Sequence, residues 1–261
     1  MPINEQFIDV DFTVDPNFIA GDLGAGDLQS VCGNYGELDG VLSDAEIDAA
    51  INALDEAGGG ADQLVTRIYN QGQEGSCVAN AFSQANEIIQ ALQYGRDKVV
   101  PLSAMSLYKR IGRSAGSGAM VSDGIAEMVK RGILPLDTPE NRAKYSDAVM
   151  PNTGWRTPFP SNWEETAKLF RGHEYYIVKN TRELFTALCR QEPVVVGRAG
   201  HSICYVRPMK QNGRRVVKYA NSWGNWGDNG YGYDSERLYA QSARWAVAVR
   251  STVSRPKPPV T

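Results

Sequence analysis

Cys77 is the residue in this chain whose position most favours reactivity. It follows Gly75 and Ser76, and apolar residues recur after it at helical spacing until Gly95 ends the pattern. The spacing predicts a buried helix with Cys77 in its first turn. The unpaired N–H groups and the dipole of a helix N-terminus favour a thiolate, the form of cysteine that attacks carbonyl carbon. Free cysteines are mostly inert and buried, so this residue alone establishes no activity.

Two residues far along the chain supply what a reactive thiol needs. His201 is one of only two histidines and begins a β-like run, while Asn221 ends the next such run. Between the runs, Asn212-Gly213 predicts a tight hairpin turn, which would bring His201 and Asn221 to one end of the hairpin. An imidazole can take the thiol proton and return it to a leaving amine, and an amide oxygen can orient the ring. The set predicts a nucleophile, a general base and acid, and an orienting residue.

At these residues the sequence resembles the papain-like (C1 family) cysteine peptidases, in a bacterial or phage type without the usual disulfide cysteines. QGQEGSC at 71–77 looks like the start of the family's nucleophile helix, HSICYV at 201–206 like its histidine strand, and NSWGNWGDNGYG at 221–232 like its Asn-Ser-Trp block. The resemblance covers residues 65–250 in order. The 124 positions from Cys77 to His201 fall short of the roughly 130–150 of the family, which implies a shortened connection.

The resemblance implies further site residues. Gln71 would bind the oxyanion of the tetrahedral intermediate together with the Cys77 N–H, and Trp223 would shield the Asn–His hydrogen bond from water. Glu74 stands where many members have a disulfide cysteine, which would place a carboxylate at the rim of the cleft. An ion pair with the histidine would lower the pKa of the Cys77 thiol. The candidate substrate-binding residues are Gly116, Ser117, Gly118, Gly200 and Trp223.

The order of predicted elements indicates an α+β fold, because helices come first and antiparallel strands follow. Helical patterns begin near residues 43, 77, 103, 122, 163 and 182, with Ser122 or Asp123 as the cap of the fourth. β-patterns span residues 194–197, 202–206, 214–220 and 245–250, and residues 134–162 form a surface connection. The resemblance implies two lobes with the cleft between them: a mainly helical lobe over residues 61–160 and a β-barrel-like lobe over residues 161–251.

Composition narrows the classes of protein. The chain has 261 residues, and no apolar run approaches the roughly 20 residues of a membrane span. Its start lacks the basic and apolar regions of a secretory signal, so we expect a cytoplasmic or virion-associated protein without a membrane partner. The four cysteines have no metal-ligand spacing, so we expect reduced thiols, no metal and no cofactor. A net charge of −3 favours no nucleic-acid partner.

Charge divides the chain at residue 60. Residues 1–60 hold 13 of the 30 Asp and Glu residues and no Lys or Arg, whereas the rest holds all 27 Lys and Arg. The segment therefore carries −13 and the remainder +10, joined through three glycines at 58–60. Such asymmetry marks a tail with a partner. We expect residues 1–60 to be an extension, pro-segment-like or regulatory, that docks on the basic body of residues 61–261.

The combined pattern predicts a cysteine endopeptidase that hydrolyses a protein or peptide substrate through a thioester acyl-enzyme. Two alternatives remain open at this point. One is a non-catalytic papain-like protein that binds or builds part of a larger assembly, such as a phage particle. The other is a Cys-His peptidoglycan hydrolase.

Overall fold

A computed structural model describes residues 3–38, 40–136, 139, 142 and 158–254. The predicted surface connection at 134–162 lies mostly outside the described residues. Helix α2, Cys77–Tyr94, is the centre of the helical side, and Gly95 ends it with a positive φ, as the sequence pattern predicts. Its first fifteen residues are all buried, because helices pack on one side of it and the sheet on the other. A helix buried all round is typical of the middle of a core.

The other helices are shorter and lie on both sides of the sheet. Helix α1 is Asp44–Glu56, and a capping box between Ser43 and Glu46 begins it. Ser103 caps α3, and Asn180 caps α6. The remaining bounds are α3 Ala104–Ile111, α4 Val121–Lys130, α5 Trp163–Ala167, α6 Thr181–Cys189, α7 Trp226–Asn229, which is broken at Gly227, and α8 Glu236–Ser242.

Seven strands form one sheet in the order β1-β2-β7-β3-β4-β5-β6. Every neighbouring pair is antiparallel except β1 and β2. Within the described residues the sheet is open, since its end strands β1 and β6 do not pair, so the barrel-like part of the expected lobe is an open sheet. The bounds are β1 Gly33–Asn34, β2 Phe170–Ile177, β3 Val194–Arg198, β4 His201–Gln211, β5 Arg214–Ala220, β6 Tyr231–Ser235 and β7 Ala243–Ser254.

The two faces of this sheet carry two cores. Along β3, Val195 points into the cluster shared with α2, α3 and α4, whereas Val194 and Val196 point into the cluster shared with α6. Alternation of this kind follows from the period of two in a strand. Ile47 and Ile51 of α1 are fully buried in the second cluster. Residues before position 60 therefore help to build a core.

Three local predictions were wrong. The pattern that predicted a helix up to residue 170 gives a five-residue helix, after which Phe170 begins strand β2. Helix α4 begins at Val121, earlier than the expected caps Ser122 and Asp123, and it has no side-chain cap. Strand β6 and helix α8 were not predicted, because Gly and Asp interrupt the apolar pattern around Tyr231.

Residues 1–60, predicted to be one acidic extension, contact the body in two ways. Helix α1 packs on α6 and β4 and places its acidic residues beside Arg207 and Arg215. Residues 12–24, which we call the covering segment, run as irregular chain across the edge of the sheet where β3 ends and β4 begins. The contacts of the covering segment belong to the candidate site.

Candidate active site

Cys77 lies at the first position of α2 and is fully buried. Ser76 precedes the helix, and Asn80 Nδ2 donates to both the carbonyl and the hydroxyl oxygen of Ser76 at 2.9 Å. These bonds fix the turn that presents the cysteine. The backbone is tight here as well, because a Cβ on Gly75 would lie 2.8 Å from the backbone nitrogen of Gly118. The local sequence thus holds the thiol at a rigid helix start.

The β4–β5 hairpin brings His201 and Asn221 together as predicted from its turn. Cys204 pairs with Ala220 in the hairpin register, and Asn212 and Gly213 both have positive φ. His201 Nε2 lies 2.8 Å from Asn221 Oδ1, and both residues are buried. The two ends of the hairpin therefore place the imidazole beside the amide that could orient it.

The hydrogen bonds of Asn221 also determine which nitrogen of His201 is basic. The backbone N–H of Ser222 donates to Asn221 Oδ1 at 2.8 Å, so the amide atom facing it must be the oxygen. The same oxygen faces His201 Nε2, which must then carry the ring proton. The other ring nitrogen, Nδ1, is buried and has no hydrogen-bond partner among the residues that the structure describes. The geometry therefore leaves Nδ1 with a free lone pair, as a general base requires.

Aromatic rings enclose the imidazole. Trp223 stacks on His201 with ring centroids 4.7 Å apart, and Phe12 of the covering segment meets the edge of the same ring at 5.1 Å. Phe12 is itself fully buried and also contacts Trp223 at 5.6 Å. Trp223 thus lies over His201 and Asn221, where it can keep water away from their bond. Phe12 covers the same site from the N-terminal part of the chain.

Gln71 lies beside the start of α2, and both the nitrogen and the oxygen of its side-chain amide form hydrogen bonds. Its Nε2 donates to the carbonyl oxygen of Glu74 at 2.8 Å, and its Oε1 accepts from the Ser222 hydroxyl at 2.5 Å. One N–H of that amide has no role in these bonds, and the first-turn N–H of Cys77 has no acceptor within the helix. The two groups predicted to bind an oxyanion are therefore both present as donors at this helix end.

The covering segment crosses in front of Cys77 and bonds through its backbone to both sides. The N–H groups of Gly21 and Asp22 donate to Gly200 O at 3.1 and 3.0 Å. On the other side, Leu23 N–H donates to Ala119 O at 3.1 Å, and Ala119 N–H donates to Gly21 O at 2.9 Å. The result is a short parallel pairing of Asp22 with Ala119. The segment therefore lies between Gly200 on one side and residues 118–119 on the other, and it contacts Gly75 just before α2.

The candidate substrate-binding residues differ in their placement. Gly200 and Gly118 contact the covering segment, and a Cβ on Gly118 would lie 2.7 Å from Gly21 O. Ser117 is engaged within its own loop by the backbone N–H groups of residues 113 and 114, and Gly116 has open space around its Cα. On this side of the covering segment, Ala119 makes the backbone hydrogen bonds to Gly21 and Leu23, rather than Gly116, Ser117 or Gly118. Sequence reasoning missed it because those bonds use no side chain.

Burial sets the protonation of the pair in this covered form. It raises the pKa of the Cys77 thiol to about 12, assisted by the negative charge of Asp22. It lowers the pKa of His201 to about 4, although the bond to Asn221 acts in the opposite direction. Both groups are neutral near pH 7. The expected lowering of the thiol pKa by an ion pair is therefore wrong for the covered form, because no solvent reaches either charge.

Glu74 is buried rather than exposed at a rim. Its side chain is 3% exposed, and Oε2 has no hydrogen-bond partner in the described part of the chain. Burial raises the pKa of its carboxyl group to about 7. The four cysteines are free thiols, and Cys204 is buried mid-strand. The residues described form no His, Cys, Asp and Glu cluster that could hold a metal, and none of their helices is long and apolar enough to cross a membrane.

Solved structures of cysteine proteases share this fold. Xylellain, a cysteine protease from Xylella fastidiosa, superposes with a TM-score of 0.59 at 21% identity, over 71% of this chain and 82% of that one. Digestive procathepsin L 3 of Tenebrio molitor gives 0.55 at 21% identity, over 71% and 66% of the two chains. The clostridial cysteine protease Cwp84 gives 0.60 at 13%, over 74% and 56%.

These likenesses show that the chain has the α+β fold of the papain-like cysteine proteases. No protein family profile matches the sequence, and no curated protein matches it either. The fold is therefore shared with proteins whose sequences differ widely from this one.

Proposed function

We propose that this chain is a cysteine endopeptidase of the papain-like type. The observation that carries the proposal is the bonding of His201: Nε2 is held by Asn221 Oδ1, and Nδ1 is left unprotonated at the start of β4, the strand that packs on the helix of Cys77. Nδ1 has no partner among the described residues, so its lone pair can accept a proton. An unpartnered basic nitrogen is what proton transfer from a thiol requires.

The reaction uses these groups in sequence. His201 Nδ1 takes the proton of Cys77, and the thiolate sulfur attacks the carbonyl carbon of the scissile amide. The carbonyl oxygen becomes an oxyanion that the Gln71 amide and the Cys77 N–H stabilise. The C–N bond breaks as His201 gives the proton to the leaving amine, which leaves a thioester. Water then attacks the thioester, again with His201 as base, and releases the carboxylic acid and the thiol.

A second part of the proposal is that the covering segment keeps the enzyme inactive. The support is its backbone pairing with Ala119 and Gly200 and the packing of Phe12 on His201. A substrate cannot approach the fully buried Cys77 until these contacts open. In this view residues 1–60 are one acidic extension with two parts. Helix α1 packs on the body, and only the covering segment blocks access to Cys77.

The test is reaction with an epoxide probe directed at peptidase thiols, between about pH 5 and 8. We expect slow labelling of Cys77 in the intact chain, and loss of labelling in Cys77→Ala and in His201→Ala. The matched control is Cys189→Ala, which removes a half-buried thiol away from the site and should leave labelling unchanged.

The complete burial of the neutral pair also fits a non-catalytic papain-like protein. That alternative predicts no labelling of Cys77 at any pH, even after the covering segment is loosened by Gly21→Ala. Release of peptides from peptidoglycan, with no cleavage of protein substrates, would instead favour the Cys-His peptidoglycan hydrolase.

A further inference from the structure

The covering segment places one side chain, Asp22, in a pocket beside Cys77. Asp22 Oδ2 accepts from Trp245 Nε1 at 2.9 Å, and Asp22 Oδ1 accepts from the backbone N–H of Gly24 at 2.8 Å. The neighbouring Gly21 lies against Gly75, two residues before Cys77, since a Cβ on Gly21 would lie 2.5 Å from Gly75 O. The segment therefore carries a carboxylate into the site itself.

The body of the protein supplies the pocket. Gly197 of β3 leaves the space open, since a Cβ there would lie 2.4 Å from Asp22 Oδ2 and 2.0 Å from Trp245 Nε1. Trp245 is held in place by stacking on Phe82 of α2, with ring centroids 6.4 Å apart and an angle of 7°. The indole N–H is a donor that never accepts, so it selects an oxygen.

A second donor lies in the same pocket. Ser202 lies directly across from Gly197 in the β3–β4 pairing, and its buried hydroxyl has no hydrogen-bond partner within the described ranges. The guanidinium of Arg244 lowers the pKa of Asp22. Burial raises that pKa more strongly, because the carboxyl group loses hydrogen bonds to water that the pocket only partly replaces. An acceptor side chain would satisfy groups that an apolar side chain would leave without partners.

A substrate would meet the same pocket. Ala119 and Gly200 hold residues 21–23 only through backbone atoms, so any extended peptide can form these bonds. Asp22, the residue paired with Ala119, has its carboxylate against Gly197 and Trp245, so we expect the substrate residue that pairs with Ala119 to face the same groups. The position of Asp22 therefore identifies a specificity site as well as an obstruction.

We propose that the pocket of Gly197, Ser202 and Trp245 selects an aspartate side chain in the peptide substrate. The inference rests on the proposed peptidase function. It names the substrate class as extended peptides with Asp at the position that pairs with Ala119. Glu is disfavoured because Gly197 and Trp245 lie close around the carboxylate. In this scheme Asp22 holds the covering segment in the groove by occupying the pocket that recognises the substrate.

The experiment measures kcat/KM with a positional-scanning peptide library on the full-length chain carrying Gly21→Ala, which opens the groove. At one position near the cleaved bond we expect Asp to exceed Ala and Leu by about tenfold, the usual effect of leaving a buried donor unpaired. Trp245→Phe keeps the ring but removes the N–H, and it should reduce this preference severalfold. The matched control, Trp163→Phe in α5, should leave it unchanged.

The outcomes separate the two proposals. Cleavage with an apolar preference at every position, or an Asp preference that survives Trp245→Phe, would overturn the pocket while the peptidase function stands. No cleavage of any peptide and no labelling of Cys77 would overturn the peptidase function and the pocket with it. A fold control is needed for Trp245→Phe, and an unchanged rate of epoxide labelling at Cys77 in the Gly21→Ala background provides it.

Discussion

Helix α1 and the covering segment belong to the same acidic part of the chain, yet they are held by different forces. Helix α1 buries Ile47 and Ile51 in a core, and its carboxylates pair with Arg207, Lys210 and Arg215. The covering segment contributes a single fully buried large side chain to the same core, Phe12. Within the described residues it forms no ion pair with the body. Backbone hydrogen bonds hold it, together with bonds from the indole N–H groups of Trp226 and Trp245 to its two aspartates. Net charge therefore does not tell which part can leave. We expect α1 to be structural and the covering segment to be the part that opens.

The strongest test of this contrast removes the packing of α1. Ile51 is fully buried, and Ile51→Ala should lower the free energy of unfolding by about 2–5 kcal/mol through lost burial and a cavity. Thermal or urea unfolding of the whole chain measures it. The control is Ala53→Gly in the same helix, which should cost only about 1 kcal/mol. A selective rise in Cys77 labelling with unchanged unfolding would contradict a structural role for α1.

The next test loosens the covering segment without disturbing a core. A Cβ on Gly21 would lie 2.5 Å from the carbonyl oxygen of Gly75, so Gly21→Ala should push the segment outwards. Overpacking of this kind costs about 1–3 kcal/mol, which corresponds to an increase of about 5- to 150-fold in the open fraction. The rate of epoxide labelling at Cys77 measures that fraction.

The matched control for that variant is Val14→Ala, since the Val14 side chain is 78% exposed in the same segment. Its labelling rate should equal that of the unaltered chain. Equal rates for Gly21→Ala and the unaltered chain would show that the covering segment is not what limits access to Cys77.

Acid should open the covering segment. Burial in the covered form lowers the pKa of His201 from its ordinary 6.5 to about 4, and we expect opening to raise it again. Neutral His201 therefore supports the covered form fully above pH 6.5, and this support is lost as the pH falls towards 4. Over that window the open fraction should rise by up to about tenfold per pH unit. Hydrogen exchange at the backbone amides of residues 21–23, corrected for the intrinsic pH dependence, measures it.

Two variants check the assignment to His201. Covering raises the pKa of Asp22, so that carboxyl group favours the covered form at low pH and opposes the effect. Asp22→Asn should therefore make the acid response steeper, and His201→Ala should abolish it. A response that persists in His201→Ala would assign the acid sensitivity to another group.

The smallest effect is expected from salt and from the ion pairs of α1. Arg215 pairs with Asp44 and Asp48 at 2.9 Å, but both partners are substantially exposed. Arg215→Ala should cost less than about 1 kcal/mol of stability, and about 1 M salt should change the labelling of Cys77 less than about twofold. A large acceleration by salt would mean that charge holds the covering segment after all.

The sequence predicted the elements that have a strong local signal. The apolar period of α2 locates Cys77 at a helix start, and Asn212-Gly213 predicts the hairpin that joins the strands of His201 and Asn221. Strand β2 was missed because RGHEYYI alternates poorly between apolar and polar residues. The path of the covering segment had no local signal, since it follows from backbone bonds to residues about 100 and 180 positions away. The same reason hid Ala119 and the environment of Asp22.

The two-faced sheet has a consequence for how this chain could be cut. Strand β3 is shared by both cores. Leu28 packs in the core that contains α2, whereas Tyr35, Ile47 and Ile51 pack in the core on the opposite face of the sheet. Cutting the chain near Gly58 and removing the residues before it would take Tyr35, Ile47 and Ile51 out of the core opposite α2. A cut between Leu23 and Asp27 would instead leave Tyr35, Ile47 and Ile51 in their core and give residues 12–23, which contribute only Phe12 to it, a free end. The position of a cut in the chain therefore decides whether it removes part of a core or frees the segment that covers Cys77.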